Sequence, residues 1–221
     1  MMELLLEFQS FFLQMCEGML VSIEIFVSTL FFSLILGLFA AFARMSKYPA
    51  LRFVTRVYIS VMRGTPLMLQ LLVIYFGPWF MFGIQINSSY KLTAVLIGFA
   101  VNYAAYFAEI YRAGIEAMPI GQYEAAKVLG YNKVQTFCYI IFPQVIKRIL
   151  PPVTNETITL VKDTSLAFSL AVVEVFTTAK QLAAAETTML PFVVAGVFYY
   201  VFNLVVAVGA EYLEKKLSYY R

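Results

Sequence analysis

The sequence predicts an all-α membrane protein: a single bundle of five transmembrane helices, with one ordered cytoplasmic loop between the third and the fourth. Three observations carry this. Of the 221 residues, 62% are hydrophobic and 13% charged, against about 45–50% and about 25% in soluble domains. Apolar runs of the ~20 residues needed to cross ~30 Å of hydrocarbon recur five times, at about 21–43, 57–82, 92–117, 149–173 and 189–210. Lysine and arginine gather in alternate connections, as the positive-inside rule requires. The whole chain, 1–221, reads as one transmembrane domain.

Before the first span, residues 4–15 (LLLEFQSFFLQM) read as a short amphipathic helix in the interface, so that about 1–18 form an interfacial N-terminal segment. Glu3, Glu7 and Glu17 precede the first basic residue, Arg44, so the positive n-region of a secretory signal is absent. After span one comes a basic loop with Arg44, Lys47, Arg52 and Arg56. Span two contains Arg63 and the disturbing run Gly64-Thr65-Pro66, and Pro66 should bend it by removing one backbone hydrogen bond. A polar turn at 85–91 leads to span three, and the loop at about 119–147 ends in Lys147 and Arg148. Glu174, Lys180 and Glu186 lie in the connection before span five, and the tail carries Lys215, Lys216 and Arg221. An outside N-terminus and a cytoplasmic C-terminus fit every loop.

Several functions are excluded. There is no histidine, which removes the usual general base, the usual zinc ligand and the imidazole triads. Cys16 and Cys138 fall on opposite sides of the membrane and have no CxxC neighbour. A formal charge of +3 is explained by topology rather than by nucleic acid.

The polar residues within spans are more informative, because an ionisable group at a span centre costs about 2.5–3.5 kcal/mol on insertion scales. Span four holds Glu156, Lys162 and Asp163. Seven residues on a helix return to within about 20° of the start, so Glu156 and Asp163 share a stripe with Thr159 between them. Two readings stay open: structural pairing with neighbouring helices, or a cavity where the two carboxylates receive a cationic group. In span two, Arg63 and Gln70 share a face, and Arg63 could hold a substrate carboxylate or pair structurally. In span three, Asn102, Tyr106 and Glu109 share a face, where interhelical hydrogen bonding competes with substrate contact. Arg112 lies at ion-pair spacing from Glu109 and Glu116. Asn203 reads as helix glue.

The loop from 121 to 143, GQYEAAKVLGYNKVQTFCYIIFP, reads as two short helices, about 123–129 and 133–141. Gly130 stands between them, where a left-handed turn needs glycine. Glu124-Ala125-Ala126, then Gly130, Ile140 and Phe142-Pro143 resemble the EAA loop of ABC importer transmembrane subunits; Phe142 stands where that family has leucine. Arg63-Gly64-Thr65-Pro66-Leu67 with Gln70, Ala108 to Ile115 (AEIYRAGI, with Ala113 where glycine is common), and Lys162-Asp163-Thr164-Ser165-Leu166 resemble the polar amino acid branch of these permeases. The resemblance covers nearly the whole chain.

It implies a type I importer permease fold in which Glu124, Ala125, Ala126 and Gly130 belong to a coupling helix that docks an ATP-binding cassette ATPase. It further implies a second permease subunit, identical or related, and an external substrate-binding protein. ATP and magnesium would be bound by the partner ATPase, since this chain has no phosphate-binding loop of its own and needs no cofactor or metal. It is then a transport subunit rather than an enzyme. Candidate substrate contacts are Glu156, Asp163, Thr159, Arg63, Gln70, Asn102 and Tyr106. Paired carboxylates favour basic amino acids such as arginine or lysine, although one carboxylate could equally take the α-ammonium of glutamine or cystine. An ion-coupled secondary transporter or channel is the alternative, set against five spans without visible inverted repeats. A membrane-embedded enzyme lacks a nucleophile motif.

Overall fold

The computed structural model describes residues 2–217, with side chains from 9 to 216; Arg221 of the basic tail lies outside them, as do the side chains of Glu3 and Glu7. The described residues are helical nearly throughout. The first helix, α1 (Met2–Arg44), is continuous. The segment expected as a separate interfacial helix runs straight into the first span, because no proline interrupts it. α4 (Tyr90–Glu116) is the central helix, and α1 packs along it over its length. Small residues allow that approach: a Cβ on Gly37 would lie 2.8 Å from Phe107 Cβ and 3.1 Å from the Ala104 carbonyl oxygen. Close backbone contact through small residues is a typical way for membrane helices to associate. Ile25 and Phe26 of α1, Phe99, Tyr103 and Phe107 of α4, and Leu160 and Val161 further along the chain build the main apolar core.

The second expected span is broken. α2 (Pro49–Gly64) and α3 (Leu67–Phe82) meet at 113°. Thr65 is extended at φ −122°, ψ 147°, the region that a residue preceding proline prefers, and Pro66 has no N–H to continue the ladder. A helix end leaves carbonyls without partners, and side chains capture them. Thr65 Oγ1 donates to the Val61 carbonyl at 2.8 Å. The Met62 carbonyl accepts from Gln70 Nε2 and from Asn102 Nδ2, both at 3.0 Å. The bend is therefore far sharper than one missing hydrogen bond would impose, and a polar clasp holds it.

After α4 comes α5 (Ile120–Val128). Its end is a paired left-handed turn. Gly130 takes φ +81°, its N–H reaches the Lys127 carbonyl at 3.1 Å, and the Tyr131 N–H reaches the Ala126 carbonyl at 3.0 Å, the hydrogen-bond pair of a Schellman cap. Asn132 and Gln135 then form a reciprocal capping box on α6 (Lys133–Gln135). The second loop helix does not end near residue 141 as expected. A π-helical turn, Thr136–Ile141, carries it directly into α7 (Phe142–Asp163). Pro143 cannot donate to the carbonyl four residues back, and the Phe142 N–H bonds instead to Phe137, five back.

α7 passes into a 3₁₀ segment, Thr164–Leu170, that ends at Ala171 with φ +53°. Glu174 then caps α8 (Val175–Ala185), and α9 (Leu190–Leu217) closes the chain. Gln9–Arg44, Tyr90–Glu116 and Leu190–Lys216 are each long and apolar enough to cross a bilayer, and α2 with α3 passes when taken as one broken span. α7, assigned from the sequence to the fourth crossing, carries Lys147, Arg148, Glu156, Lys162 and Asp163.

Candidate functional site

A cleft of about 310 Å³ opens between α2, α4 and α7. Arg63 reaches it from the last turn of α2, Tyr106 and Glu109 from α4, and Arg148 and Glu156 from α7. Three of the seven candidate substrate residues, Arg63, Tyr106 and Glu156, thus converge although they lie far apart in sequence. The Arg63 guanidinium sits over the Tyr106 ring, 5.3 Å from its centroid, within range of a cation–π contact. Among the described residues no direct ion pair joins Arg63 to Glu156, so a cationic and an anionic group line one cleft without touching each other. Glu109 is not free in this sense: with Glu116 it clamps Arg112 at the C-terminal end of α4, as its spacing indicated.

Asp163 lies about 10 Å further along α7 at about 1.5 Å per residue. It accepts a 2.7 Å hydrogen bond from the Tyr103 hydroxyl. Glu156 and Asp163 therefore both face α4, but at different levels, and only Glu156 lines the cleft. Thr159, between them, is exposed and donates to the Asn155 carbonyl at 3.0 Å within its own helix. Gln70 and Asn102 are buried in the α2–α3 clasp, where Asn102 Nδ2 also donates to Gln70 Oε1 at 2.9 Å. Their polar groups are occupied in holding the bend that delivers Arg63 to the cleft.

Tyr103 and Arg148 escaped the sequence reading. Tyr103 lies beside Asn102 and is 2% exposed, so its ring reads as core while its hydroxyl does the polar work. Arg148 looked like a loop charge; it donates to the Ala117 carbonyl at 2.7 Å, which ties the start of α7 to the end of α4. A second buried acid, Glu174, is fully enclosed. It accepts from the Phe176 and Thr177 N–H groups, each at 2.7 Å, from Thr177 Oγ1, and from the Tyr199 hydroxyl at 2.8 Å. Burial pushes this carboxyl above the ordinary glutamate range, and the four donors pull it part of the way back. An acid directly before a helix and three residues ahead of a threonine was the available signal.

The loop presents a second surface. Of its four motif residues, Glu124, Ala125 and Gly130 are exposed and Ala126 is buried. Around them Ile120, Val128, Leu129 and Val134 stand at least 71% exposed. Apolar side chains this open on an otherwise charged loop form a patch of the kind that binds a partner.

The family model for binding-protein-dependent transport system inner membrane components matches residues 33–219. A Rickettsia bellii protein bearing the name glutamine transport system permease GlnP is 36% identical over 219 residues, 98% of this chain and 99% of that one. The Bacillus subtilis arginine transport system permease ArtQ is 36% identical over 203 residues, 91% of each chain. A solved amino acid ABC transporter with histidines superposes with a TM-score of 0.84 at 31% identity, covering 96% of both chains. The chain therefore belongs to the binding-protein-dependent inner membrane component family, as a type I ABC importer permease of the polar amino acid branch.

Proposed function

We propose that this chain is one membrane subunit of an ATP-driven importer that moves a polar amino acid inward through the cleft between α2, α4 and α7. The observation that carries the reading is the pairing of Arg63 and Glu156 in one cleft without an ion pair between them. A free amino acid brings one carboxylate and at least one ammonium, and the two side chains complement these in a setting where charge-assisted hydrogen bonds are strong. A second acid, Asp163, about 10 Å along the same helix, favours a substrate with a cationic side chain, such as arginine or lysine. Thr159, Gln70 and Asn102 complete the candidate set, with the latter two acting through the clasp.

Opening and closing would be driven from the cytoplasmic side, where an ABC ATPase that binds ATP and magnesium docks on α5 and its glycine cap. The N-terminus faces outward, a substrate-binding protein delivers the amino acid there, and a second permease subunit closes the pathway. Relatives bear the names of glutamine, arginine and L-cystine permeases, which supports the amino acid class and leaves the side chain to experiment.

The test is uptake into proteoliposomes containing the chain with its partner permease, ATPase and binding protein. Uptake should require ATP and the binding protein, arginine and lysine should compete best, and Glu156→Gln should raise KM for a cationic substrate. Uptake by the chain alone on an ion gradient would replace this reading with a secondary transporter.

A further inference from the structure

α2 has three distinct sides; the bundle covers one of them along its length and takes in only Arg63 of the second, at the last turn. At about 100° per residue, Thr55, Ile59 and Met62 point one way. Thr55 and Ile59 are buried, and Ile59 packs with Ala41, Ala105 and Ala108. The next side carries Arg52, Arg56 and Arg63. The third carries Phe53, Val57 and Val61, which are 64%, 45% and 46% exposed. The 113° bend prevents α2 from continuing the line of α3, and α3 runs alongside α4, with Tyr75 stacked on Tyr90 near its start. α2 therefore lies across the bundle. It does so at the level where α1 ends, since Met45, Ala41 and Ile59 share one cluster. Arg52 and Arg56 are exposed and have no ion-pair partner among the described residues.

We infer that α2 is an in-plane anchor for anionic phospholipid of the cytoplasmic leaflet, with Phe53, Val57 and Val61 among the acyl chains and Lys47, Arg52 and Arg56 on the headgroup phosphates. An apolar stripe beside a basic stripe on a helix lying across the bundle is the pattern of interfacial membrane helices. Basic groups close to an anionic bilayer surface gain attraction from its negative potential. A second protein chain would have to cover the apolar side and also bring acidic groups to the adjacent arginines, whereas lipid phosphate is complementary to the basic stripe as it stands. The inference shares with the proposed function only the cytoplasmic placement of the α1–α2 turn. It does not depend on the substrate.

Native mass spectrometry of the full-length chain, titrated with phosphatidylglycerol and separately with phosphatidylcholine, reads the preference directly. The expected result is preferential phosphatidylglycerol retention that falls about thirtyfold in Arg52→Gln/Arg56→Gln. The charge-matched control Lys91→Gln/Lys180→Gln should retain it. Unchanged retention in the arginine variant, or equal loss in the control, overturns the inference. A readout independent of the arginines places tryptophan at Val57 in a Trp79→Phe background, Trp79 being the single tryptophan. Brominated lipid should quench it. If it is unquenched and Val57→Cys cross-links two permease chains, the face is a protein interface and the lipid assignment fails. Transport activity enters neither measurement, so a failure here is distinguishable from a failure of the importer reading.

Discussion

Tyr103 donates its hydroxyl to Asp163 at 2.7 Å across the packed faces of α4 and α7, although the two are 60 residues apart in sequence. The bond fixes the one carboxylate of α7 that does not open into the cleft. Hydrogen bonds to charged groups contribute about 1.5–3 kcal/mol in soluble proteins, but interhelical ones measured in a membrane average about 0.6 and reach about 1.7. The membrane scale applies here, so Tyr103→Phe should destabilise the chain by about 0.5–1.7 kcal/mol, read by unfolding in detergent. Asp163→Asn should weaken uptake of cationic substrates more than Tyr103→Phe does. Equal effects on uptake would make Asp163 a structural partner only.

The clasp at the α2–α3 bend makes a prediction about coupling. Gln70 and Asn102 share the Met62 carbonyl and bond to each other. Removing either leaves the other with an unpaired buried group, so the second deletion should cost less than the first. A double-mutant cycle with Gln70→Ala and Asn102→Ala should return an interaction energy of about 0.5–3 kcal/mol. Additive losses would show that the two amides act separately.

Gly130 is required for its backbone rather than for space. A Cβ there meets nothing within 4 Å, yet φ is +81°. Gly130→Ala should cost about 1–2 kcal/mol through the left-handed conformation alone and weaken co-purification of the ATPase severalfold. Gly130→Asn, which tolerates that region better, should restore part of the binding. Wild-type assembly with Gly130→Ala would detach the cap from docking.

Glu174 lies in the connection between α7 and α8, and its carboxyl is held above the ordinary value of 4.5, chiefly by burial. The folded chain therefore binds more protons at this site than the unfolded chain. Its contribution to stability is fully present below the unfolded pKa and is lost as pH rises through the raised folded pKa. The thermal midpoint should decline with pH across that window, and Glu174→Gln should flatten the decline. A midpoint that rises with pH over the same window, with the slope abolished in the variant, would mean that the four donors outweigh burial.

The architecture was legible because crossing a bilayer demands long apolar runs and basic inner loops, both properties of composition. Pro66 announced a bend but not its size. The angle depends on which side chains capture the freed carbonyls, and Asn102 comes from 40 residues away. Arg63, Tyr106 and Glu156 could be singled out because charge and polarity inside a span are costly, whereas their meeting in one cleft depends on how three helices pack. Tyr103 could not, since a buried tyrosine in an apolar helix looks like packing until its acceptor is known. The run at 4–15 reads as amphipathic, but nothing interrupts the helix before Arg44, so the boundary expected there is absent.

The break at Thr65–Pro66 has a mechanical consequence. A straight span behaves as a rod, passing axial push and twist from one end to the other through its backbone ladder. Here that ladder is interrupted, and load crosses the corner through amide side chains on Gln70 and Asn102 and the carbonyls they grip. α2 and α3 are thus two arms on a pinned bearing: displacement of the Arg63 arm can swing charge within the cleft while α3 keeps its seat against α4.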